Sequence, residues 1–126
     1  IVVDTSALVA ILARESAATV CARIVEGEDH IAISAGTLAE CMIIANARKI
    51  VSEMDDLVSG LNAEIVPVTA ATARRIGSIY TRFGKGFHPA GLNYGDCFSY
   101  ALAKGRGIPL LYKGRDFAQT DVMSVL

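Results

Sequence analysis

Short apolar runs alternate along this chain with longer segments of helical periodicity, and this alternation constrains the fold more than any other feature. Residues 1–3 are β-branched throughout and predict a strand buried on both faces. Residues 109–112 predict a second strand of this kind near the other end of the chain. Short buried strands separated by helices are typical of a parallel sheet with helices on both faces. The sequence therefore predicts the α/β class.

The remaining boundaries follow from capping residues, glycines and prolines. Strands are expected at residues 30–34 and 64–68, with a further candidate at 122–126. Helices are expected over residues 7–13, 17–26, 35–50, 52–61, 69–83 and 97–104. Residues 84–95 include four glycines and one proline, which indicates a loop.

Length and composition indicate one folded unit. The chain has 126 residues, of which 52% are apolar and 20% charged, and no linker or repeat divides it, so residues 1–126 are expected to form a single domain. The apolar content argues against disorder. No apolar run reaches the length of about 18 residues that a membrane span needs. Three cysteines without a CxxC pair favour a cytoplasmic location over a disulfide framework or a zinc site.

Charge is divided unevenly along the chain. Residues 1–63 carry four basic and nine acidic side chains, whereas residues 64–126 carry eight basic and four acidic ones. A basic half could attract a polyanion, and solvated helix faces would explain the same distribution equally well.

Four acidic residues occur where a charge is unusual. Asp4 directly follows the first predicted strand, and Asp116 follows the strand at 109–112 after a short turn. Asp96 opens a predicted helix, and Glu40 lies alone in a long apolar helix where a charge is costly to bury. Helix capping would also explain Asp4 and Asp96, and a rim position beside an arginine would explain Glu40.

These acids are expected to converge, because ligands of parallel α/β sheets bind beyond the carboxyl ends of the strands. Carboxylates that converge raise one another's pKa, and a divalent cation relieves that repulsion. Ligation by oxygen alone suits Mg²⁺ or Mn²⁺. Asp121 could join the cluster or cap the last segment, whereas His30 and His88 are not spaced as a ligand pair.

An all-carboxylate magnesium site suits phosphodiester hydrolysis, since the metal can activate water and neutralise charge on a phosphoryl group. The chain lacks both GxxxxGK[ST] and GxGxxG, so the usual cradles for nucleoside triphosphates and dinucleotides are missing. The basic half of the chain could then contact a nucleic-acid backbone.

Three segments resemble the PIN-domain ribonucleases and, among these, the VapC-type toxins of type II toxin–antitoxin modules. The segments are IVVDTSALVAIL, TLAE and LNYGDCFSYALAKGRGIPLLYKGRDFAQTDV. The resemblance extends over essentially the whole chain. It implies a three-layer α/β/α PIN domain with a four- to five-stranded parallel sheet.

The same resemblance implies an endoribonuclease that depends on Mg²⁺ or Mn²⁺ and cleaves structured RNA such as tRNA or rRNA, leaving a 5′-phosphate and a 3′-hydroxyl. It implies catalytic and metal-binding roles for Asp4, Glu40, Asp96 and Asp116, with Asp121 as a further contributor. It also implies a homodimer that a VapB-like antitoxin neutralises in a heterotetramer or larger complex, and operator DNA binding through the antitoxin alone.

Several residues near these acids are candidates for RNA contact. Thr5 or Ser6 matches the hydroxyl position beside the first acid of the family and would orient a ligand or a water molecule. The expected phosphate contacts are Lys113 and Arg115, with Arg82 and Lys85 behind them.

A response-regulator receiver domain is the main competing interpretation, because it has a similar length and an acidic Mg²⁺ pocket. It would place two adjacent acids after the first strand, where this chain has Asp4 followed by Thr5 and Ser6. A small Mg²⁺-dependent phosphatase or a non-catalytic PIN-like binding module would also account for an acidic site in a fold of this class.

Overall fold

The computed structural model describes residues 1–126. The strands are β1 (Val2–Val3), β2 (Ala32–Ser34), β3 (Glu64–Val66) and β4 (Leu110–Leu111). The helices are α1 (Thr5–Leu12), α2 (Ala18–Gly27), α3 (Ala35–Arg48), α4 (Val51–Gly60), α5 (Ala70–Phe83) and α6 (Tyr94–Arg106), followed by a 3₁₀ helix at Phe117–Gln119. None of these helices combines the length and apolarity that a bilayer crossing requires.

All strand pairs are parallel, and the strands lie in the order β3-β2-β1-β4. Val2 of the central strand β1 is opposite Ala32 on one side and Leu110 on the other. The chain extends the sheet from β1 through β2 to β3 and then crosses to the far side of β1 to form β4. The order of the strands therefore reverses at the carboxyl ends of β1 and β4, which is where ligands bind in sheets of this class.

Two apolar clusters, one on each face of the sheet, form the core. Val2 and Leu110 pack with residues of α5 and α6, whereas Val3 and Leu111 pack with residues of α1 to α4. The side chains of neighbouring strand residues point to opposite faces of the sheet. A strand of two residues therefore contributes one side chain to each apolar cluster. The predicted three-layer α/β/α fold is confirmed. The three cysteines are free and buried.

The fifth strand considered at residues 122–126 does not form. This segment makes only one isolated parallel bridge, between Leu110 and Ser124, with hydrogen bonds at 2.8 and 3.2 Å to the backbone of Leu110. Because β4 is only two residues long, it has no further backbone groups with which this segment could extend the pairing. The sheet therefore has four strands.

The start of α6 also differs from the sequence prediction. Asn93 is the N-cap, and its side chain accepts a hydrogen bond from the Asp96 backbone N–H at 2.8 Å. The Asp96 carboxylate accepts in turn from the Asn93 backbone N–H at 2.9 Å, which completes a capping box. Asp96 is thus the third residue of the helix and not its cap.

Candidate active site

Asp4 lies at the carboxyl end of β1 and is buried, with 3% of its surface exposed. It is the N-cap of α1, and its Oδ2 accepts hydrogen bonds from the Ser6 backbone N–H at 3.0 Å and the Ser6 hydroxyl at 2.7 Å. Its Oδ1 accepts from the Ser99 hydroxyl at 2.5 Å. None of the five ion pairs of the chain involves Asp4. Its charge is therefore met by neutral donors alone, which suits a carboxylate that binds a cation.

Glu40 extends from α3 to the N-terminal end of α6. Its carboxylate lies directly against the backbone of Gly95, where a Cβ would overlap both Oε2 and Cδ of Glu40. A side chain at residue 95 would require the Glu40 carboxylate to move from this position. The glycine before Asp96 thus leaves room for the Glu40 carboxylate at the start of α6, which the sequence alone did not reveal.

The pKa of the Asp96 carboxyl group is affected by the other three acids. The pKa of Asp96 is raised to about 7, mainly by burial and further by the negative charges of Asp4, Asp116 and Glu40. The hydrogen bond from the Asn93 backbone acts in the opposite direction. The four acids singled out in the sequence therefore interact electrostatically at one place.

Asp4, Glu40 and Asp96 line one open cleft of about 390 Å³. The other polar residues that line it are Thr5, Ser6, Glu15, Asn93 and Lys113. Asp116 precedes the 3₁₀ helix and is exposed outside this lining, although it is near enough to raise the pKa of Asp96. The cleft lies where the strand order reverses, as expected for a ligand site of this fold.

The oxygen atoms that line the cleft are suitable ligands for a hard cation. They are carboxylate, amide and hydroxyl oxygens, and no group of three or more His, Cys, Asp or Glu side chains is arranged to hold a metal ion as the side chains stand. The acids therefore do not form a closed ligand set of the kind that structural zinc requires. Mg²⁺ usually binds through one or two carboxylates and keeps several waters, so an open oxygen-lined cleft fits Mg²⁺ or Mn²⁺.

Asp121 does not belong to this cleft, which corrects its expected place among the metal ligands. Its carboxylate accepts a hydrogen bond from the Tyr100 hydroxyl at 2.5 Å and pairs with Lys104 at 3.2 Å and Arg82 at 3.6 Å. The Tyr100 hydrogen bond and these cations hold the pKa of Asp121 below its usual range. Arg82 also lies over the ring of Phe83, so it too belongs to this separate network.

Some of the other candidates for RNA contact line the cleft, and some lie outside it. Lys113 lines the cleft, where its ammonium group pairs with Glu15 and its backbone N–H donates to the Ser6 hydroxyl at 2.9 Å. Thr5 lines the cleft but is buried, and its hydroxyl donates to the carbonyl of a residue in α3. Arg115 and Lys85 are exposed and do not line the cleft.

Neither histidine lies at the site. His30 contacts Glu64 at 3.1 Å, and Nδ1 of His88 accepts a hydrogen bond from the Ala90 backbone N–H at 3.0 Å.

Sequence reasoning missed four residues of the site. Glu15 and Asn93 line the cleft, and the hydroxyls of Thr37 and Ser99 lie beneath it. Thr37 precedes Glu40 by three residues and Ser99 follows Asp96 by three, so each hydroxyl shares a helix face with an acid. That spacing is the signal that could have identified the two hydroxyls.

Comparisons with known proteins give one consistent family. The PIN domain family matches residues 1–123. Ribonuclease VapC28 of Mycobacterium tuberculosis is 42% identical over 129 residues, which cover 99% of this chain and 97% of that protein. Ribonuclease VapC30 of the same species is 44% identical over 128 residues, which cover 98% of this chain and 97% of that protein.

Solved structures share the fold at low sequence identity. The Sarcin-Ricin loop cleaving toxin VapC20 of Mycobacterium tuberculosis superimposes with a TM-score of 0.80 at 18% identity, covering 98% of this chain and 97% of that chain. VapBC2 of Rickettsia felis, bound to a DNA fragment from its promoter, gives a TM-score of 0.70 at 16% identity, covering 98% and 94%. At such identities the likeness establishes the fold alone.

We expect the metal-free protein to lose stability as pH rises through the titration of Asp96. The folded chain keeps a proton on Asp96 up to a pKa of about 7, whereas the unfolded chain releases it near 3.8. Deprotonation between these values therefore favours the unfolded state, and the penalty is complete above the folded pKa. Thermal unfolding in EDTA should show Asp96→Asn with a flatter pH profile than wild type. The exposed Asp29→Asn control should keep the wild-type profile, and an unchanged profile in Asp96→Asn would contradict this expectation.

Proposed function

Because this chain belongs to the PIN-domain family, we propose that it is a VapC-type endoribonuclease toxin whose acidic cleft cuts phosphodiester bonds of RNA. The observation that carries the proposal is the placement of Asp4, Glu40 and Asp96 around one oxygen-lined cleft in a chain 42% identical to a VapC ribonuclease over nearly its full length. This relationship bears out the VapC-like ribonuclease function that the sequence predicted. It does not favour a receiver domain.

Each acid has a distinct part in the proposed mechanism. Asp4 and Asp96 would hold Mg²⁺ or Mn²⁺, and Asp116 would contribute directly or through water. Glu40 would complete the ligand set or would orient and deprotonate the attacking water. When bound, the divalent ion would neutralise charge on the scissile phosphate and lower the pKa of a water molecule. Asp96 must lose its proton to act as a ligand, so its raised pKa in the metal-free chain means that a proton competes with the cation for this carboxylate.

Structured RNA such as tRNA or rRNA is the proposed substrate. The motivation is the relationship to the VapC ribonucleases, and VapC20, which shares the fold, is a Sarcin-Ricin loop cleaving toxin. Lys113 lies at the cleft, and Arg115 is exposed two residues further along. We assign these two cations to the phosphates of the bound strand, because backbone contacts to RNA are mainly made by such side chains.

The proposed protein partners are a second copy of the chain and a VapB-like antitoxin. Ile43 and Tyr94 are each 71% exposed and, with Val68 and Phe98, line two small apolar cavities on one face. Exposed apolar patches of this kind mark protein interfaces, so we assign this face to the homodimer. We propose that the antitoxin neutralises the toxin in a heterotetramer or larger assembly and supplies the contact to operator DNA. Support for an antitoxin partner comes from VapBC2 of Rickettsia felis, which has this fold and is bound to a DNA fragment from its promoter.

Replacing Asp4 by Asn should abolish RNA cleavage. Asn keeps the size of the side chain and removes the charge that would hold the cation, so we expect a fall in kcat of more than about a hundredfold. EDTA should inactivate the wild type, and Mg²⁺ or Mn²⁺ should restore it. The matched control is Asp121→Asn, which removes a carboxylate outside the cleft and should leave cleavage intact. Full cleavage by Asp4→Asn would refute the proposed site.

Gly95→Ala should impair catalysis without impairing folding. The added methyl group would displace the Glu40 carboxylate, whereas alanine itself favours a helix by about 1 kcal/mol over glycine. The control is Gly77→Ala in α5, where a Cβ has no neighbour within 4 Å. RNA cleavage rates and thermal unfolding midpoints of the two variants should separate the effects. Wild-type cleavage by Gly95→Ala would show that the position of Glu40 is unimportant.

Charge reversal at Arg115 should weaken RNA binding and reduce its dependence on salt. Losing one phosphate contact lowers the slope of log K against log salt by about 0.7 for a single strand. The control is Arg74→Glu, which reverses the same charge on the exposed side of α5, a helix that contributes no residue to the cleft, whereas Arg115 follows directly after the lining residues Lys113 and Gly114. Equal slopes for Arg115→Glu and Arg74→Glu would remove Arg115 from the binding surface.

A further inference from the structure

We propose that Ser99 and Thr37 are positioning residues whose buried hydroxyls fix the Asp4 carboxylate relative to the two helices that carry Glu40 and Asp96. This inference rests on the proposed function, since Asp4 is a ligand there. It assigns a role to two side chains that touch neither the cleft surface nor any reacting group.

The two hydroxyls form a directed hydrogen-bond chain that ends on Asp4. The Ser99 hydroxyl donates to Oδ1 of Asp4 at 2.5 Å, and Oγ1 of Thr37 lies 3.0 Å from Oγ of Ser99. A hydroxyl has one hydrogen to donate, and an ionised carboxylate can only accept. Ser99 therefore donates its hydrogen to Asp4 and accepts from Thr37, which gives the order Thr37 to Ser99 to Asp4.

The chain of hydrogen bonds connects the three elements that supply the acids. Thr37 lies three residues before Glu40 on α3, and Ser99 lies three residues after Asp96 on α6. Residues with this spacing share a helix face. Each helix thus presents one carboxylate to the cleft and one hydroxyl to the floor beneath it. The hydrogen bonds set the register of both helices against the end of β1.

The hydroxyls of Thr37 and Ser99 are shielded from water, so their hydrogen-bond partners are protein atoms. Thr37 and Ser99 are completely buried, and every buried side-chain nitrogen and oxygen in the protein has a hydrogen-bond partner. A buried hydroxyl costs free energy unless it is paired, and an apolar residue would fill either position without that cost. The hydrogen bond to Asp4 therefore explains why a hydroxyl is present at position 99.

The two oxygens of Asp4 depend on different parts of the chain. Oδ2 is held by Ser6, two residues away, as in any aspartate that caps a helix. Oδ1 accepts from Ser99 alone, across 95 positions of sequence. Removing the Ser99 hydroxyl would leave the carboxylate attached to α1 only. Hydrogen bonds to a metal-ligating group orient it, and losing one typically costs about 10- to 100-fold in metal affinity or activity.

The first test is Ser99→Ala, compared with Ser34→Ala. We expect Ser99→Ala to weaken Mn²⁺ binding in calorimetry by about 10- to 100-fold and to lower kcat for RNA cleavage in parallel, with KM unchanged. Ser34 is the other buried serine, and it caps α3 without touching Asp4. Ser34→Ala should lower the unfolding midpoint and leave Mn²⁺ affinity and kcat at wild-type values. If Ser99→Ala behaves in the same way, the positioning role is overturned.

A matched pair at Thr37 keeps the test decisive even if Ser99→Ala does not fold. Thr37→Val preserves the shape and removes the hydroxyl, whereas Thr37→Ser keeps the hydroxyl and removes a methyl group. Positioning requires Thr37→Val to lose Mn²⁺ affinity and kcat while Thr37→Ser retains both. The reverse ranking would mean that residue 37 serves packing alone. A wild type that binds Mn²⁺ but cleaves no RNA would refute the proposed function, and the Mn²⁺ titrations would still decide the role of the hydroxyls.

Discussion

The burial of one carboxylate at the end of the central strand is the constraint on which the rest of the structure depends. Asp4 forms no ion pair, and its donors are a backbone N–H and two serine hydroxyls. Leaving such a group unpaired in the interior would be costly, so the start of α1 and the buried face of α6 are both built around it. Those contacts also fix where the cleft opens, at the reversal of strand order between β1 and β4.

The negative charges gathered around Asp4 repel one another, and this repulsion contributes to the raised pKa of Asp96. Its carboxyl group is destabilised in the ionised form by burial and by three neighbouring acids, while the Asn93 backbone provides a compensating hydrogen bond. Gly95 adds to this crowding, because it lets the Glu40 carboxylate approach the start of α6. A folded chain that accepts this repulsion without an arginine or lysine paired to these four acids is suited to receive a cation from solution.

Much of this could be predicted from the sequence, because local features determine it. The β-branched run before Asp4 and the isolated Glu40 in an apolar helix each indicate a candidate residue, and the predicted parallel sheet is what leads us to expect that the two converge. The hydroxyls of Thr37 and Ser99 each lie three residues from an acid on the same helix, but the hydrogen bonds that define their role join residues that are distant in sequence. The separate position of Asp121 depends on contacts of the same kind, because its contacts with Tyr100 and Lys104 arise only when the C-terminal segment packs on α6.

A crystal structure of the wild-type chain soaked in Mn²⁺, with anomalous diffraction data, tests the central claim most directly. We expect one strong anomalous peak in the cleft, ligated by Asp4 and Asp96 and otherwise surrounded by water and nearby carboxylates. An empty cleft at saturating Mn²⁺ would contradict the proposal that these acids gather to bind a divalent ion. A peak elsewhere, such as beside Asp121, would contradict it equally.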